Sequence, residues 1–197
     1  LEQELSEDSL KEYTQIIINE ADRLQNLMNR MLTPHQMPIY KKTNIHEILE
    51  RVRSLILSEF STDISFVRDY DVSLPEFVVD REKLIQAILN IARNGAQAMK
   101  QNKQEEMKLS FVTRAERQIV FRKKKHATAI RIDIIDNGPG IKNELIDKIF
   151  FPLVTGNENG SGLGLSLAQN LIALHQGMID CHSVPGKTIF SIILPIE

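Results

Sequence analysis

"NGSGLGLSLAQN", residues 159–170, places Gly160, Gly162 and Gly164 at alternate positions directly before an apolar run with helical spacing. Glycines at the mouth of a helix serve either a hinge or a backbone that comes close to an anion, because free N–H groups and the helix dipole favour negative charge there. Two familiar phosphate loops do not fit. A dinucleotide-binding turn needs Gly-x-Gly-x-x-Gly directly after a strand; here the spacing is Gly-x-Gly-x-Gly, and the preceding "FFPLVTGNEN", 150–159, is loop-like. A P-loop needs Gly-x-x-x-x-Gly-Lys-Ser/Thr before a helix. Gly186-Lys187-Thr188 has Cys181 where the first glycine belongs, and the strand-like "IFSIILP" follows it.

The chain has 197 residues, 42% of them hydrophobic, which is ample for one core with an appendage. A net charge of −2 gives no electrostatic ground for nucleic acid or an anionic membrane as partner. The basic run Arg122, Lys123, Lys124, Lys125 is short and reads as a solvated hairpin tip. Cys181 is alone, which excludes an internal disulfide and fits a reducing, cytoplasmic setting. No uninterrupted apolar stretch approaches the roughly 18 residues of a membrane span, and no signal peptide is visible. The first residue is Leu rather than Met, so a fragment is expected.

All nine glycines lie at or after Gly95, so the chain changes character along its length. Over 9–32, Leu10, Tyr13, Ile17, Ala21, Leu24, Met28 and Met31 recur at three- and four-residue steps, which predicts an amphipathic helix. Its narrow stripe reads either as packing on its own domain or as half of a helical hairpin that dimerises, and the second is favoured. "TPHQMPIYKKT", 33–43, has two prolines and no periodicity, and reads as a linker. The organisation expected is therefore a helix over 1–34, a linker over 35–43 and a globular domain over 44–197.

In that domain "NIHEILERVRSLILSEF" is helical, while "DISFVRDYD" and "FVVD" are short strands. "REKLIQAILNIARNGAQAM" is a strong helix with Ile85, Ile88, Leu89, Ala92 and Ala96 on one face. "MKLSFVTRA", "RQIVFRKKK" and "ATAIRIDIID" read as three strands, "NELIDKIF" as a short helix and "LGLSLAQNLIALHQ" as a longer one. "GMIDCHSVPGKTIFSIILP" is a closing hairpin in which Phe190, Ile192 and Leu194 alternate onto one face. These elements predict a two-layer α/β sandwich, a mixed sheet with helices on one face.

Asn90 and Asn94 stand four apart on the strong helix and so share a face. A single asparagine there reads as a core amide; two, with Arg93 adjacent, point to a ligand. An amide oxygen is a hard donor suited to Mg²⁺, which takes its other ligands from water and phosphates. In "DIIDNGPGI", 133–141, a strand ends at Asp136 and breaks into turn formers. A plain turn accounts for Asn-Gly and Pro-Gly. A carboxylate at a strand end, however, requires a donor; the exocyclic amine of adenine is one, and Gly138 and Gly140 would let backbone lie against a flat base.

Four motifs in this order, "NIARNGAQAM", "DNGPGI", "FFPL" and "GSGLGL", resemble the ATP-binding domain of the superfamily that contains DNA gyrase, MutL, the large ATP-dependent chaperones and sensor histidine kinases. "LKEYTQIIINEADRLQNLMNRML" resembles the second helix of a kinase dimerisation hairpin. "VRDYDVSLPE", "FPLVTG" and the long hairpin before "RIDIIDNGPGI" are most similar to nitrogen-regulation kinases of the NtrB type. The resemblance implies a Bergerat-type ATP-binding fold with ATP and Mg²⁺ as cofactors. It implies Asn94 as the metal ligand, Asn90 facing the phosphates with Arg93 compensating charge, and Asp136 with Gly138 and Gly140 at the adenine. Thr188 would join the water network around the base, and Phe150 with Phe151 would anchor a lid over roughly 142–161. Gly160, Ser161, Gly162, Leu163, Gly164 and Leu165 would hold the triphosphate. The partners implied are an acceptor-His dimerisation domain of the same protein, an NtrC-like response regulator and a PII-type signalling protein, in a homodimer.

Relatives that hydrolyse ATP place a Glu one helical turn before the metal Asn; here that residue is Asn90, whose amide cannot take a proton at neutral pH. The expected activity is therefore protein-histidine kinase, with the γ-phosphoryl group leaving for another nucleophile. The acceptor motif, a His followed by Glu and then Asn-Pro, does not occur in these 197 residues. His46-Glu47 matches only its first two positions, and His46 reads as a surface residue. A degenerate regulatory module and a superfamily ATPase are the alternatives.

Overall fold

The computed structural model describes residues 37–60, 64–121, 124–156 and 161–196, together with Thr14. The chain divides into two units, Leu1–Met37 and Pro38–Glu197. Apart from Thr14, the amphipathic helix expected over 9–32 lies outside the described residues, as do Gly160 and, in the basic run, Arg122 and Lys123.

The second unit runs β1 (Tyr40–Thr43), α1 (Ile45–Phe60), β2 (Ile64–Asp69), β3 (Phe77–Asp80), α2 (Arg81–Gln101), β4 (Met107–Phe121) and β5 (Lys124–Asp136). It continues through α3 (Asn143–Ile146), α4 (Gly164–Leu174), β6 (Met178–Val184) and β7 (Lys187–Ile196). Five strands form one sheet in the order β2-β4-β5-β7-β6. Only the β2–β4 pair is parallel, so the sheet is mixed. The helices cover one face of it, as the alternating and helical patterns predict.

Each layer buries what its period dictates. On α1, Ile45, Ile48, Leu49, Val52, Ile56 and Phe60 are buried at three- and four-residue steps. On α2 the stripe runs Leu84, Ile85, Ile88, Ile91, Ala92, Ala96, Met99. From the sheet, Ile130, Ile132 and Ile134 of β5 and Phe190, Ile192 and Leu194 of β7 complete the core at alternate positions. Asp80 fixes where α2 begins: its side chain accepts the Lys83 N–H at 3.1 Å and the Ile39 N–H at 3.0 Å.

Two expectations change. The linker expected over 35–43 contains β1, which pairs antiparallel with β3 from Tyr40↔Asp80 to Thr43↔Phe77. Its first three residues are exposed, so no apolar alternation announces the strand; distant backbone pairing makes it. The strands expected at 107–115 and 117–125 are instead one, β4, which keeps one register with β5 from Leu109↔Asp136 to Phe121↔Lys124 and passes over Gln118. The break expected between the two strands falls at Glu116; Gln118, two residues on, takes a left-handed φ of 51° without ending the ladder.

A core test follows. Ile88 is fully buried at the centre of α2, whereas Val78 on β3 is 60% exposed. Ile88→Ala is expected to lower unfolding stability in urea by about 2–5 kcal/mol, and Val78→Ala by about 0.5 kcal/mol or less.

Candidate functional site

The end of β5, the middle of α2 and the start of α4 converge, and glycine is what lets them. A Cβ on Gly95 of α2 would lie 2.9 Å from one oxygen of Asp136, and a Cβ on Gly138 would lie 2.8 Å from the other. Asp136 is thus wedged between two residues without side chains and is only 6% exposed. Its Oδ1 accepts the Gly138 N–H at 2.9 Å. Burial holds its pKa above the ordinary aspartate value, and the Gly138 hydrogen bond opposes that without cancelling it. The loop beyond it is pinned: Gly140 has φ 83°, and a Cβ there would meet the Val184 carbonyl carbon at 2.9 Å. Gly186 N–H also donates to the Gly138 carbonyl at 2.9 Å. Asn137 serves this loop structurally, accepting the Lys108 N–H and donating to the Glu106 carbonyl.

Thr188 stands directly opposite Asp136 across the β5–β7 ladder and is buried. Paired residues of a sheet face the same side, so both side chains lie on the helix-covered face. Its hydroxyl lies 2.9 Å from that of Ser183, which also accepts the Ile141 N–H at 2.9 Å. The sequence reading assigned nothing to Ser183. The signal was the two-residue Pro185-Gly186 turn, whose register places 183 opposite 188.

Next to Gly95 on α2, Asn94 meets the start of α4. A Cβ on Gly164 would lie 3.6 Å from Asn94 Oδ1 and 3.7 Å from its Nδ2. Asn90 Nδ2 is buried and, among the described residues, has no hydrogen-bond partner. Such a donor costs about 1–3 kcal/mol unless something outside the chain receives it. Leu163 gives α4 no side-chain cap, and the N-terminal end of a helix attracts anions. Ser161, Gly162, Leu163 and Leu165 stand half-buried around this helix start. Gly162 has φ 63°, and a Cβ there would collide with the Leu153 carbonyl carbon at 2.5 Å. The Leu153 N–H donates to the Gly162 carbonyl at 2.9 Å, stapling the "FFPL" segment to the glycine loop.

Two candidates are placed differently from expectation. Arg93 Nε donates to Glu59 of α1 at 2.8 Å, so its guanidinium is engaged by the neighbouring helix. Phe151 is 60% exposed, outside the core. Phe150 packs on the core edge-on to Phe190 at 6.4 Å, and Ile149 beside it is buried. His46, expected at the surface, is instead half-buried, its ring stacked on Tyr70 at 4.7 Å.

The Asp136 pKa gives a prediction with a definite sign. Because the folded value lies above the unfolded one, the ionised group destabilises the fold above its folded pKa. The penalty fades as pH falls through that pKa and is gone below the unfolded value near 4. Asp136→Asn keeps an acceptor for Gly138 and removes the charge. It is expected to be more stable than the parent at neutral pH, with the difference closing as pH falls toward about 4, in urea melts at a series of pH values.

The geometry has counterparts. The family described as histidine kinase-, DNA gyrase B-, and HSP90-like ATPase matches residues 79–197. The sensory histidine kinase/phosphatase NtrB of Vibrio alginolyticus is 47% identical over all of this chain and 55% of its own length. That of Salmonella typhimurium is 43% identical, over all of the chain and 56% of its own length. The chain thus spans about half the length of these relatives. Among solved structures, the mycobacterial sensor histidine kinase MprB superposes with a TM-score of 0.65 at 22% identity, covering 81% of this chain and 99% of that one. Histidine kinase ThkA, in complex with response regulator protein TrrA, superposes with a TM-score of 0.67 at 23% identity, over all of this chain and 54% of that one. The share of the chain that the family matches, and the place of Asp136, Asn90 and Asn94 inside it, lead to one statement: the chain belongs to the histidine kinase-, DNA gyrase B- and HSP90-like ATPase family.

Proposed function

We propose that this chain is the ATP-binding catalytic part of an NtrB-like two-component sensor histidine kinase, which passes the γ-phosphoryl group of ATP to a histidine on a dimerisation domain. The observation that carries the reading is the buried Asp136 between Gly95 and Gly138. A carboxylate removed from water calls for a donor, and the space beside it is bounded by backbone without side chains, which suits a flat base with an exocyclic amine. The similarity to NtrB kinase/phosphatases, over all of this chain and about half of theirs, supports the same reading.

In it, Asp136 accepts from the adenine amine, with Thr188 beside it. Asn94 would hold Mg²⁺, which takes its other ligands from water and the nucleotide's phosphates. Bound Mg²⁺ would neutralise phosphate charge and align the γ-phosphoryl group. Asn90, whose buried Nδ2 has no partner among the described residues, would face the phosphates, and the start of α4 would take part of the remaining negative charge. Neither asparagine can accept a proton from water. The site therefore positions the phosphoryl group and keeps it from hydrolysis, and phosphoryl transfer needs little more than positioning and charge stabilisation.

The partners that follow are an acceptor-His dimerisation domain in a homodimer, an NtrC-like response regulator and a PII-type signalling protein, in the cytoplasm. No described helix is long and apolar enough to cross a membrane. One observation favours a second reading, a regulatory module of the same fold: Arg93 is engaged by Glu59, leaving the phosphate region short of the cation expected there.

The test is transfer in trans. Incubated with labelled ATP and Mg²⁺, the chain alone should remain unlabelled. Mixed with a separate polypeptide carrying a dimerisation hairpin and its histidine, it should label that polypeptide while free phosphate accumulates slowly. Asn94→Ala should reduce labelling by roughly two orders of magnitude or more, as loss of a charge-stabilising group does. Labelling of any of the chain's own histidines, or rapid ATP turnover without acceptor, contradicts the proposal.

A further inference from the structure

Three strands present one polar row on the helix-covered face of the sheet. Asp136 on β5 stands opposite Thr188 on β7, and Thr188 stands opposite Ser183 on β6. Asp136 and Thr188 are buried and Ser183 half-buried. The row is bonded at its outer end, where the Ser183 and Thr188 hydroxyls lie 2.9 Å apart. It is also tied to the loop that follows Asp136, because Ser183 Oγ accepts the Ile141 N–H at 2.9 Å.

Counting donors favours one direction for the Ser183–Thr188 hydrogen bond. A serine hydroxyl has one hydrogen to give and two lone pairs to receive. The Ile141 N–H occupies one lone pair of Ser183. Its hydrogen then points at Thr188, or it receives the hydrogen of Thr188. Asp136, the next member of the row, is a pure acceptor when ionised. The arrangement that serves the whole row has Ser183 donating to Thr188 and Thr188 turning its own hydrogen toward the Asp136 side. The reverse would spend the Thr188 hydrogen on Ser183 and leave two acceptors facing each other across the pocket.

We infer that Ser183 is a positioning residue for purine selection: it sets the direction of the Thr188 hydroxyl and fastens it to the loop after Asp136, so that Thr188 and Asp136 present one fixed donor–acceptor pattern to a 6-aminopurine. The inference rests on the reading of this site as an adenine-nucleotide site. Ser183 touches no part of the base itself; it acts through Thr188. The closing hairpin and the Asp136 loop then form one recognition unit, joined also by the Gly186 N–H to the Gly138 carbonyl.

The experiment measures affinity for ATP and for GTP, each with Mg²⁺, in the parent chain, Ser183→Ala, Thr188→Ala, the double variant and Ser183→Thr. Thermal melts run beside them confirm the fold. Ser183→Ala is expected to weaken ATP by roughly threefold to tenfold, the size of one net hydrogen bond. GTP should change little, so that selectivity falls. The double variant should lose no more than the worse single variant, since both remove the same unit. Ser183→Thr, which restores a hydroxyl on a strand, should recover ATP preference. Equal losses for ATP and GTP, additive losses in the double variant, or a parental ATP to GTP ratio in Ser183→Ala would each overturn the inference while leaving the adenine site standing. A parent chain that binds neither nucleotide, or both equally, overturns the adenine reading and this inference with it.

Discussion

The close approach of β5 to α2 is the constraint on which the site depends. Where Asp136 ends its strand, the facing helix residue is Gly95, and even one added carbon there would fall 2.9 Å from the carboxylate. That contact sets the register of everything downstream. It buries an acid whose ionised form is costly, lets Gly138 curl back to bond it, and leaves the preceding residue, Asn94, beside the start of α4. The isoleucines of β5 and the apolar stripe of α2 provide the force that holds helix and strand so close. Stability from the core is thus used to keep one acid and one amide donor in places that cost energy without a ligand. Such local conflicts concentrate at functional sites.

The two ends of α4 divide the labour. Its start is open, uncapped by any side chain, and faces Asn94. Its end is fixed: His175 is buried, gives its Nδ1 to the Leu171 carbonyl at 2.8 Å and receives the Asp80 N–H on Nε2 at 3.1 Å. Asp80 in turn caps α2. The helix that offers its N–H groups to an anion is therefore referenced, through one histidine, to the helix that bears both asparagines. On the loop side, the Leu153–Gly162 hydrogen bond keeps the "FFPL" segment and the glycine loop in register.

The helices α1 and α2 and the apolar alternation of β5 and β7 were legible because burial on one face writes a period into the chain. The site was legible in part for a different reason. Asn90, Asn94, Asp136 and the glycines near 162 stand out because polar or side-chain-free residues interrupt apolar patterns. What stayed hidden depends on partners remote in sequence. Tyr40–Thr43 becomes a strand only by pairing with residues about 40 positions on, and nothing in Tyr-Lys-Lys-Thr says so. Arg93 reads as a phosphate residue until Glu59, 34 residues earlier, is seen beside it. The polar stretch around Glu116 reads as a turn between two strands, because polar residues look the same in a turn and in a ladder held by its neighbour. Ser183 was missed because it looks ordinary until Thr188 lies across from it.

In the proposed reading, the phosphate end of the site turns on two neutral amides, Asn90 and Asn94, and the start of α4. Nucleotide binding should then depend on an added metal and on Asn94 together. Calorimetric titration of ATP into the chain with Mg²⁺, with Mg²⁺ removed by chelator, and into Asn94→Ala under both conditions measures that coupling directly. The expected result is single-site binding that weakens when Mg²⁺ is removed, with Asn94→Ala weakening it in Mg²⁺ but adding little once the metal is gone. Binding indifferent to Mg²⁺, or an Asn94→Ala loss of the same size with and without the metal, would contradict the role given to this helix face.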